Sequence, residues 1–332
     1  MNKVMKYHAK LSQLVCLFFL STSLTLYSQQ TDQCLAVITE LKGEVLFKKA
    51  AGTEFTKAAW GSQLFQGDQV RTSANSEVSL LFSNGNFVTL GPDGSMAISG
   101  KKPPETKPDA NVKNISSAML VNISGLTLKK QNKKDVGALA GLRSADTEQS
   151  IELTSPYNTL IKTNRPSFSW TAKEFYDKYI VNLYSSKGLI WSKKVSGNKM
   201  NYPENEKELV FGESYFWNVE GEGLVDNVKS ASQKFTVLSP QKSKEVADQE
   251  AMIMSTLKDV SESSNLHSVL GAYYINQGLL QDAINEFQAI SKINIDATLP
   301  HEILSSLYTD VGNKDKAIEE LQKALALAKN KE

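Results

Sequence analysis

The chain has 332 residues, of which 41% are hydrophobic and 22% are charged, and its formal net charge at pH 7 is +1. This composition is typical of a globular protein of two or three domains, and it excludes a collagen-like, disulfide-dense or largely disordered chain. The only arginines are Arg71, Arg143 and Arg165. A nearly neutral chain with so few guanidinium groups is not expected to bind nucleic acid, because those groups make many of the contacts to phosphates and bases.

The N-terminus has the three parts of a secretory signal peptide. Three lysines in the first ten residues precede an apolar stretch from Leu14 to Leu26, and a polar run begins at Gln29. The apolar stretch is shorter than the ~20 residues that a helix needs to cross a bilayer. We therefore expect residues 1–28 to be removed on export to the periplasm or the outer cell surface. An N-terminal anchor that is retained is the alternative.

Cysteine content fits an exported chain without internal disulfides. Cys16 lies inside the apolar stretch, so cleavage would leave Cys34 as the only cysteine, and one cysteine forms no internal disulfide. We expect Cys34 to pack against the first strand. No later stretch has the length of apolar residues that predicts a membrane span.

Between Leu35 and about Ile98, short apolar runs separated by glycine turns predict an all-β unit. The expected strands are Ala36–Ile38, Glu44–Lys48, Asp68–Thr72, Glu77–Phe82 and Phe87–Leu90. The pair Asn84-Gly85 predicts a hairpin turn between the last two strands. Five apolar side chains are expected to lie on one side of their strands and form a core. They are Leu64, Val70, Val78, Leu80 and Phe82.

This region resembles the periplasmic FecR domain. The resemblance rests on Gly43-Glu44-Val45, on Gly61-x-x-Leu64-x-x-Gly67-Asp68-x-Val70-x-Thr72, and on Glu77 to Gly85 with Val88 and Leu90. A run at 136–143 is similar to a late strand of that family, so we expect a FecR-like β domain at 35–145 with an exposed Pro- and Lys-rich loop at 99–112.

FecR regulators carry a cytoplasmic region that contacts a sigma factor. Only about ten residues precede the apolar segment here. We therefore do not expect this chain to regulate a sigma factor directly.

Residues 150–239 have clearer alternation, and their aromatic residues cluster. About seven short strands over ~90 residues match the immunoglobulin-like or fibronectin type III β-sandwich. The run Leu209…Gly212…Tyr215 resembles the tyrosine corner of that fold. Trp170 and Trp217 are expected in the core, and Trp191, beside a turn, is less clearly placed. The alternative is that such aromatics form a platform for sugars.

After Pro240 the hydrophobic period changes to 3.6, which predicts helices over 242–332, the first of them at Lys242–Val260. The set Leu270, Tyr274, Gly278, Ala283 and Phe287 recurs 34 residues later as Leu304, Tyr308, Gly312, Ala317 and Leu321. This spacing resembles the tetratricopeptide repeat, with repeats at 265–298 and 299–332. Two repeats and one preceding helix form a short array, which is expected to dock on the sandwich or on another protein.

By resemblance to tetratricopeptide grooves, eight residues are expected to face a partner. They are Asn265, Ser268, Ala272 and Asn276 in the first repeat, and Glu302, Ser306, Thr309 and Asp310 in the second. Such a groove is polar and somewhat acidic, which would suit a basic or neutral peptide segment. The alternative is that these residues only face solvent.

The sequence offers few residues for catalysis. His267 and His301 occupy equivalent places in the two repeats and are expected to pack structurally, and the remaining histidine, His8, lies in the signal peptide. Histidine-dependent triads and histidine-rich zinc sites are therefore excluded, and no cofactor or metal is expected. Six acidic residues offer candidate carboxylate pairs for a glycosidase, but we interpret them as surface charges. They are Glu204, Glu206, Glu208, Glu213, Glu220 and Glu222.

Together these features favour a non-catalytic, exported cell-envelope protein that binds a protein partner, a peptide segment or an envelope glycan. One alternative is an envelope-sensing component of a FecR-type signalling system that works through a separate membrane partner. The other is a glycan-processing enzyme.

Overall fold

The computed structural model describes residues 34–83, 86–99, 111–114, 150–223, 227–257 and 264–329. The predicted signal peptide, the Asn84-Gly85 turn, most of the loop at 99–112 and the late strand at 136–143 lie outside these ranges. The described chain is rich in β-sheet up to residue 237 and then helical, which confirms the predicted order of β and α regions. Every helix in the described ranges is too short or too polar to cross a bilayer.

The N-terminal β domain has nine described strands in two antiparallel sheets. They are β1 (Ala36–Lys42), β2 (Val45–Lys48), β3 (Thr56–Lys57), β4 (Gln63–Leu64), β5 (Gln69–Thr72), β6 (Glu77–Phe82), β7 (Asn86–Leu90), β8 (Ser95–Ala97) and β9 (Asn111–Asn114). One sheet has the order β4-β1-β6-β7-β9 and the other β3-β2-β5-β8. All five predicted strands are present. The additional strands have only two to four residues, too few to show a period in the sequence.

The five-stranded sheet of this domain is buried on both faces. One face packs against the second sheet, and all five residues predicted to form the core do so. Because successive side chains of a strand point to opposite faces, Leu80 contributes to this core while Leu81 points away from it. Leu81 instead packs with Val37 and Phe87 in a second core that the domain shares with the helices.

The second β region, which we call the sandwich, also has nine strands in its described ranges. They are β10 (Ile151–Ser155), β11 (Thr159–Ile161), β12 (Ser167–Ala172), β13 (Tyr179–Ser185), β14 (Gly188–Val195), β15 (Lys199–Asn201), β16 (Ser214–Gly221), β17 (Val228–Lys229) and β18 (Gln233–Val237). A sheet β10-β12-β15 faces a sheet β11-β18-β16-β13-β14, in which β17 also pairs with β16. Trp170, Trp191 and Trp217 are all buried in the shared core, so none of them offers a ring to a sugar.

The helical region consists of five described helices. They are α1 (Pro240–Thr256), α2 (Ser264–Gln277), α3 (Leu280–Ile293), α4 (Leu299–Val311) and α5 (Lys314–Lys329). Gly278 and Gly312 follow α2 and α4 with φ of +70° and +88°, the left-handed conformation in which glycine commonly ends a helix. Within the first hairpin, a Cβ on Gly271 would lie 2.8 Å from Phe287, so glycine at this position allows the two helices to approach closely.

Both β regions dock on the helices, and residues 34–332 form one compact unit. The helical core includes Val37, Trp60, Leu81 and Phe87 of the β domain, and Leu160 of the sandwich packs against it. The predicted docking of the repeats on the sandwich is therefore present, and the β domain contributes a second interface.

Candidate binding surfaces and module junctions

Three of the predicted groove residues are covered by their own chain. Asn265, Ser268 and Ala272 are buried, and α2 packs against β1. The amide of Asn265 donates a hydrogen bond to the carboxylate of Glu40 on β1. The prediction that these three positions face an open groove is therefore wrong for this conformation, because the second apolar face of the five-stranded sheet needs a partner and α2 supplies it.

The other five predicted groove residues have a different environment. Asn276, Glu302, Thr309 and Asp310 are exposed and Ser306 is half-buried. The Thr309 hydroxyl donates to the backbone oxygen of Ser305, 2.8 Å away. These side chains lie on α4 and at the end of α2, and their contact with a partner stays a prediction.

A cleft of about 750 Å³ lies between the β domain and the helical region. We call it the junction cleft. One wall comes from β3 and the segment that follows it to Trp60, and the other from residues 293–297 and Leu327. Its volume is in the range of clefts that bind ligands, and interfaces between domains are a common place for them.

The rim of the junction cleft exposes two large apolar side chains. Ile293 is 49% exposed and Ile295 is 70% exposed. Trp60, in the opposite wall, is buried, and its indole Nε1 has no hydrogen-bond partner. Exposed single hydrophobic residues are ordinary on protein surfaces, but two that flank one concave apolar site mark a candidate contact surface.

The junction between the sandwich and the helices is built around one lysine. Nζ of Lys162, just after β11, lies 2.6 Å from Glu250 of α1 and 3.2 Å from Asp282 of α3. It also lies 4.6 Å from the centre of the Tyr274 ring on α2, which is within cation–π distance. Burial lowers the pKa of Lys162, but its bond to Glu250 and the charge of Asp282 outweigh this and raise that pKa. No short-range pattern around Lys162 marks it in the sequence.

Sandwich side chains also pair with backbone groups at helix ends. Thr159 accepts from the N–H of Gln281 in the first turn of α3, at 3.2 Å. The amide of Asn158 donates to the carbonyl of Val311 at the end of α4, at 3.1 Å. Since the first N–H and last C=O groups of a helix lack partners within it, these bonds satisfy groups that would otherwise need water.

Each helical hairpin contains a histidine–glutamate pair. Nδ1 of His267 lies 2.6 Å from Glu286, and Nδ1 of His301 lies 2.6 Å from Glu320. The two pairs are offset by 34 residues and join the two helices of their own hairpins. Sequence analysis expected only packing here, although the glutamates recur at the same interval as the histidines and could have been noticed. Within the described ranges, no cluster of three or more metal-ligating side chains is present.

Most of the acidic residues considered for catalysis take part in ion pairs. Their partners are Lys193 for Glu206, Arg165 for Glu208, Lys229 for Glu220 and Lys194 for Glu222, at 2.6–3.1 Å. Hydrogen bonds from Arg165 and Asn164 lower the pKa of Glu208. These contacts suit carboxylates that stay ionised on the surface.

Comparison with known proteins does not place this chain in a family. No family model matches it, and no curated protein matches it. A solved structure described as a cell surface anchoring domain is 23% identical, covers 23% of this chain and 99% of its own, and has a TM-score of 0.20. A multi-domain immunophilin from Arabidopsis thaliana is 9% identical, covers 52% of this chain and 98% of its own, and also has a TM-score of 0.20. Similarity at these TM-scores carries no argument about fold or function.

Proposed function

We propose that this chain is an exported, non-catalytic cell-envelope protein that binds another protein as a preassembled scaffold. The β domain is proposed to be FecR-like, the sandwich immunoglobulin- or fibronectin III-like, and the helices tetratricopeptide-like. The repeat assignment is supported by the hairpin glycines and the histidine–glutamate pairs, which recur at 34 residues. The sandwich assignment is supported by Tyr215, whose hydroxyl accepts from the backbone N–H of Val210 at 2.8 Å, as in a tyrosine corner.

The observation that carries the binding function is the junction cleft. Its two walls belong to two modules that a shared hydrophobic core holds together. A site between firmly packed modules is formed before any ligand arrives, and such preorganisation reduces the entropy cost of binding. The cleft exposes apolar side chains and has only a few polar lining residues, which suits binding of a partner.

In-cell crosslinking combined with fractionation tests this proposal. We expect a tagged chain to be recovered from the envelope fraction without residues 1–28 and covalently attached to a reproducible protein partner. Recovery of uncleaved protein in the cytosol would contradict export. Recovery of the envelope protein without any crosslinked partner would contradict the scaffold function.

A further inference from the structure

We propose that the junction cleft binds an extended peptide segment of a partner protein, which adds as a strand to the outer edge of β3. This inference rests on the proposed binding function and names its site and its ligand class. It depends on three features of the cleft: an open strand edge, an apolar lining, and one charge of each sign on opposite walls.

The open edge follows from the sheet order. β3 is the terminal strand of the sheet β3-β2-β5-β8, and it pairs with β2 through Leu46–Lys57 and Phe47–Thr56. In the described chain no second strand lies on its other side. Thr56 and Lys57 are both exposed and both line the cleft. An edge strand presents a row of N–H and C=O groups that another extended chain can pair with.

The apolar lining favours a peptide over a sugar. Trp60 is the one aromatic residue among the described residues that line the cleft, and its ring is buried, so no exposed ring is available to stack on a sugar. Ile293, Ile295 and Leu327 lie on the wall opposite β3. An extended peptide points alternate side chains to one side, so its apolar residues would contact this wall while its backbone pairs with β3.

The charges at the cleft add an orientation preference. Lys57 lies on the β-domain wall and Asp296 on the helical wall, and both are exposed. A peptide with an acidic residue near one end and a basic residue near the other matches both charges, and complementary charges of this kind contribute mainly to specificity. A small apolar molecule would use the walls of the cleft but neither its strand edge nor its charges.

Synthetic peptides test the proposal on the exported form of the protein. The probes are peptides of about six residues, the usual length of a strand, with valine at alternate positions, one glutamate and one lysine, in all orders of the two charges. Each has a twin in which alternate backbone nitrogens are methylated. Binding is measured by calorimetry. We expect at least one probe to bind and its methylated twin to bind at least about tenfold more weakly, since methylation removes the hydrogen bonds that add a strand.

Two matched variants locate the site. Ile295→Asp changes the rim of the cleft, and Leu325→Asp changes a residue of α5 that is 49% exposed and does not line the cleft. Both positions are exposed, so both variants should fold. We expect Ile295→Asp to weaken peptide binding at least about tenfold, as loss of a central apolar contact does, and Leu325→Asp to leave it unchanged.

Three results would overturn the inference: no binding by any probe, equal binding of a probe and its methylated twin, or equal binding by the Ile295→Asp variant. The same variants in the in-cell crosslinking experiment separate this inference from the proposed function. If the Ile295→Asp chain still captures the partner, the scaffold function holds and the cleft is not its site. If no chain captures a partner, the function itself fails.

Discussion

Lys162 and Glu250 form an ion pair of 2.6 Å that joins the sandwich to the first helix. Asp282 shares the same ammonium group from α3 at 3.2 Å, so one sandwich side chain connects two helices. Lys162 is 30% exposed and Glu250 is 17% exposed. Partly buried carboxylates of this kind are costly to leave without a counter-charge, which makes the lysine important for docking.

Replacing this lysine should loosen the sandwich–helix junction. We expect Lys162→Met to lower the free energy of unfolding by about 2 kcal/mol, because two carboxylates lose their charged partner. Lys193→Met is the matched control, since Lys193 is 31% exposed and pairs with Glu206 at 2.6 Å within the sandwich. Urea unfolding is the measurement. Equal losses in both variants, with the same pattern of transitions, would show that Lys162 has no special role in docking.

The junction between the β domain and the helices should be sensitive to a single methyl group. Gly61 has φ of +79°, and a Cβ there would lie 2.3 Å from Leu299 Cδ2 and 3.1 Å from its Cβ. We expect Gly61→Ala to cost about 2–4 kcal/mol, from backbone strain together with overpacking.

Gly197→Ala is the control for that substitution. Gly197 has φ of +82° with nothing within 4 Å of the added Cβ, so it should lose only the backbone part, about 1 kcal/mol. The difference in melting temperature between the two variants measures the packing of the β domain on α4. A difference of zero would mean that this contact is not formed in solution.

The two histidine–glutamate pairs should stabilise their hairpins to different extents. His301 and Glu320 are 13% and 11% exposed, while His267 and Glu286 are 26% and 18% exposed. Interactions that are better shielded from water are stronger. Double-mutant cycles with alanine should therefore give a coupling energy of about 1–2 kcal/mol for the first pair and a smaller one for the second. No coupling in either cycle would support packing alone.

Stability should fall at alkaline pH partly because of Tyr273. Burial, with smaller contributions from Glu250 and Glu245, raises the pKa of Tyr273 to about 12 from 10.0. Between these two values the unfolded chain loses this proton while the folded chain keeps it. The unfolded state then binds fewer protons, so stability is full below pH 10 and decreases as pH rises toward 12.

The Tyr273→Phe variant removes that titration. Its melting temperature should decrease less steeply between pH 10 and 12 than that of the wild type. Some decrease should remain, because burial also raises the pKa of Tyr308 to about 12. Parallel curves for the two proteins would mean that Tyr273 titrates normally in the folded chain.

Local structure was largely predictable from the sequence. Strand β6 was predicted with its observed bounds, and the glycines at 278 and 312 end helices as the repeat spacing required. These features depend on neighbouring residues, on alternation and on turn geometry, all of which a sequence displays directly.

The packing of modules on one another was not predictable in the same way. Asn265, Ser268 and Ala272 are small or polar, which fits an open groove equally well as a close contact with β1. The signal that favoured contact was on the other partner. Val37, Leu81 and Phe87 make the second face of the β-domain sheet apolar, and a sheet with two apolar faces has to be covered on both.

The most direct test of the account places a photoactivatable residue at one of two positions in the full chain in cells. Position 295 lies in the junction cleft, and position 309 lies on the exposed part of the predicted groove. We predict a specific covalent adduct with a partner protein from position 295 and none from position 309. An adduct from position 309 alone would contradict the account and place the partner on the helical repeats.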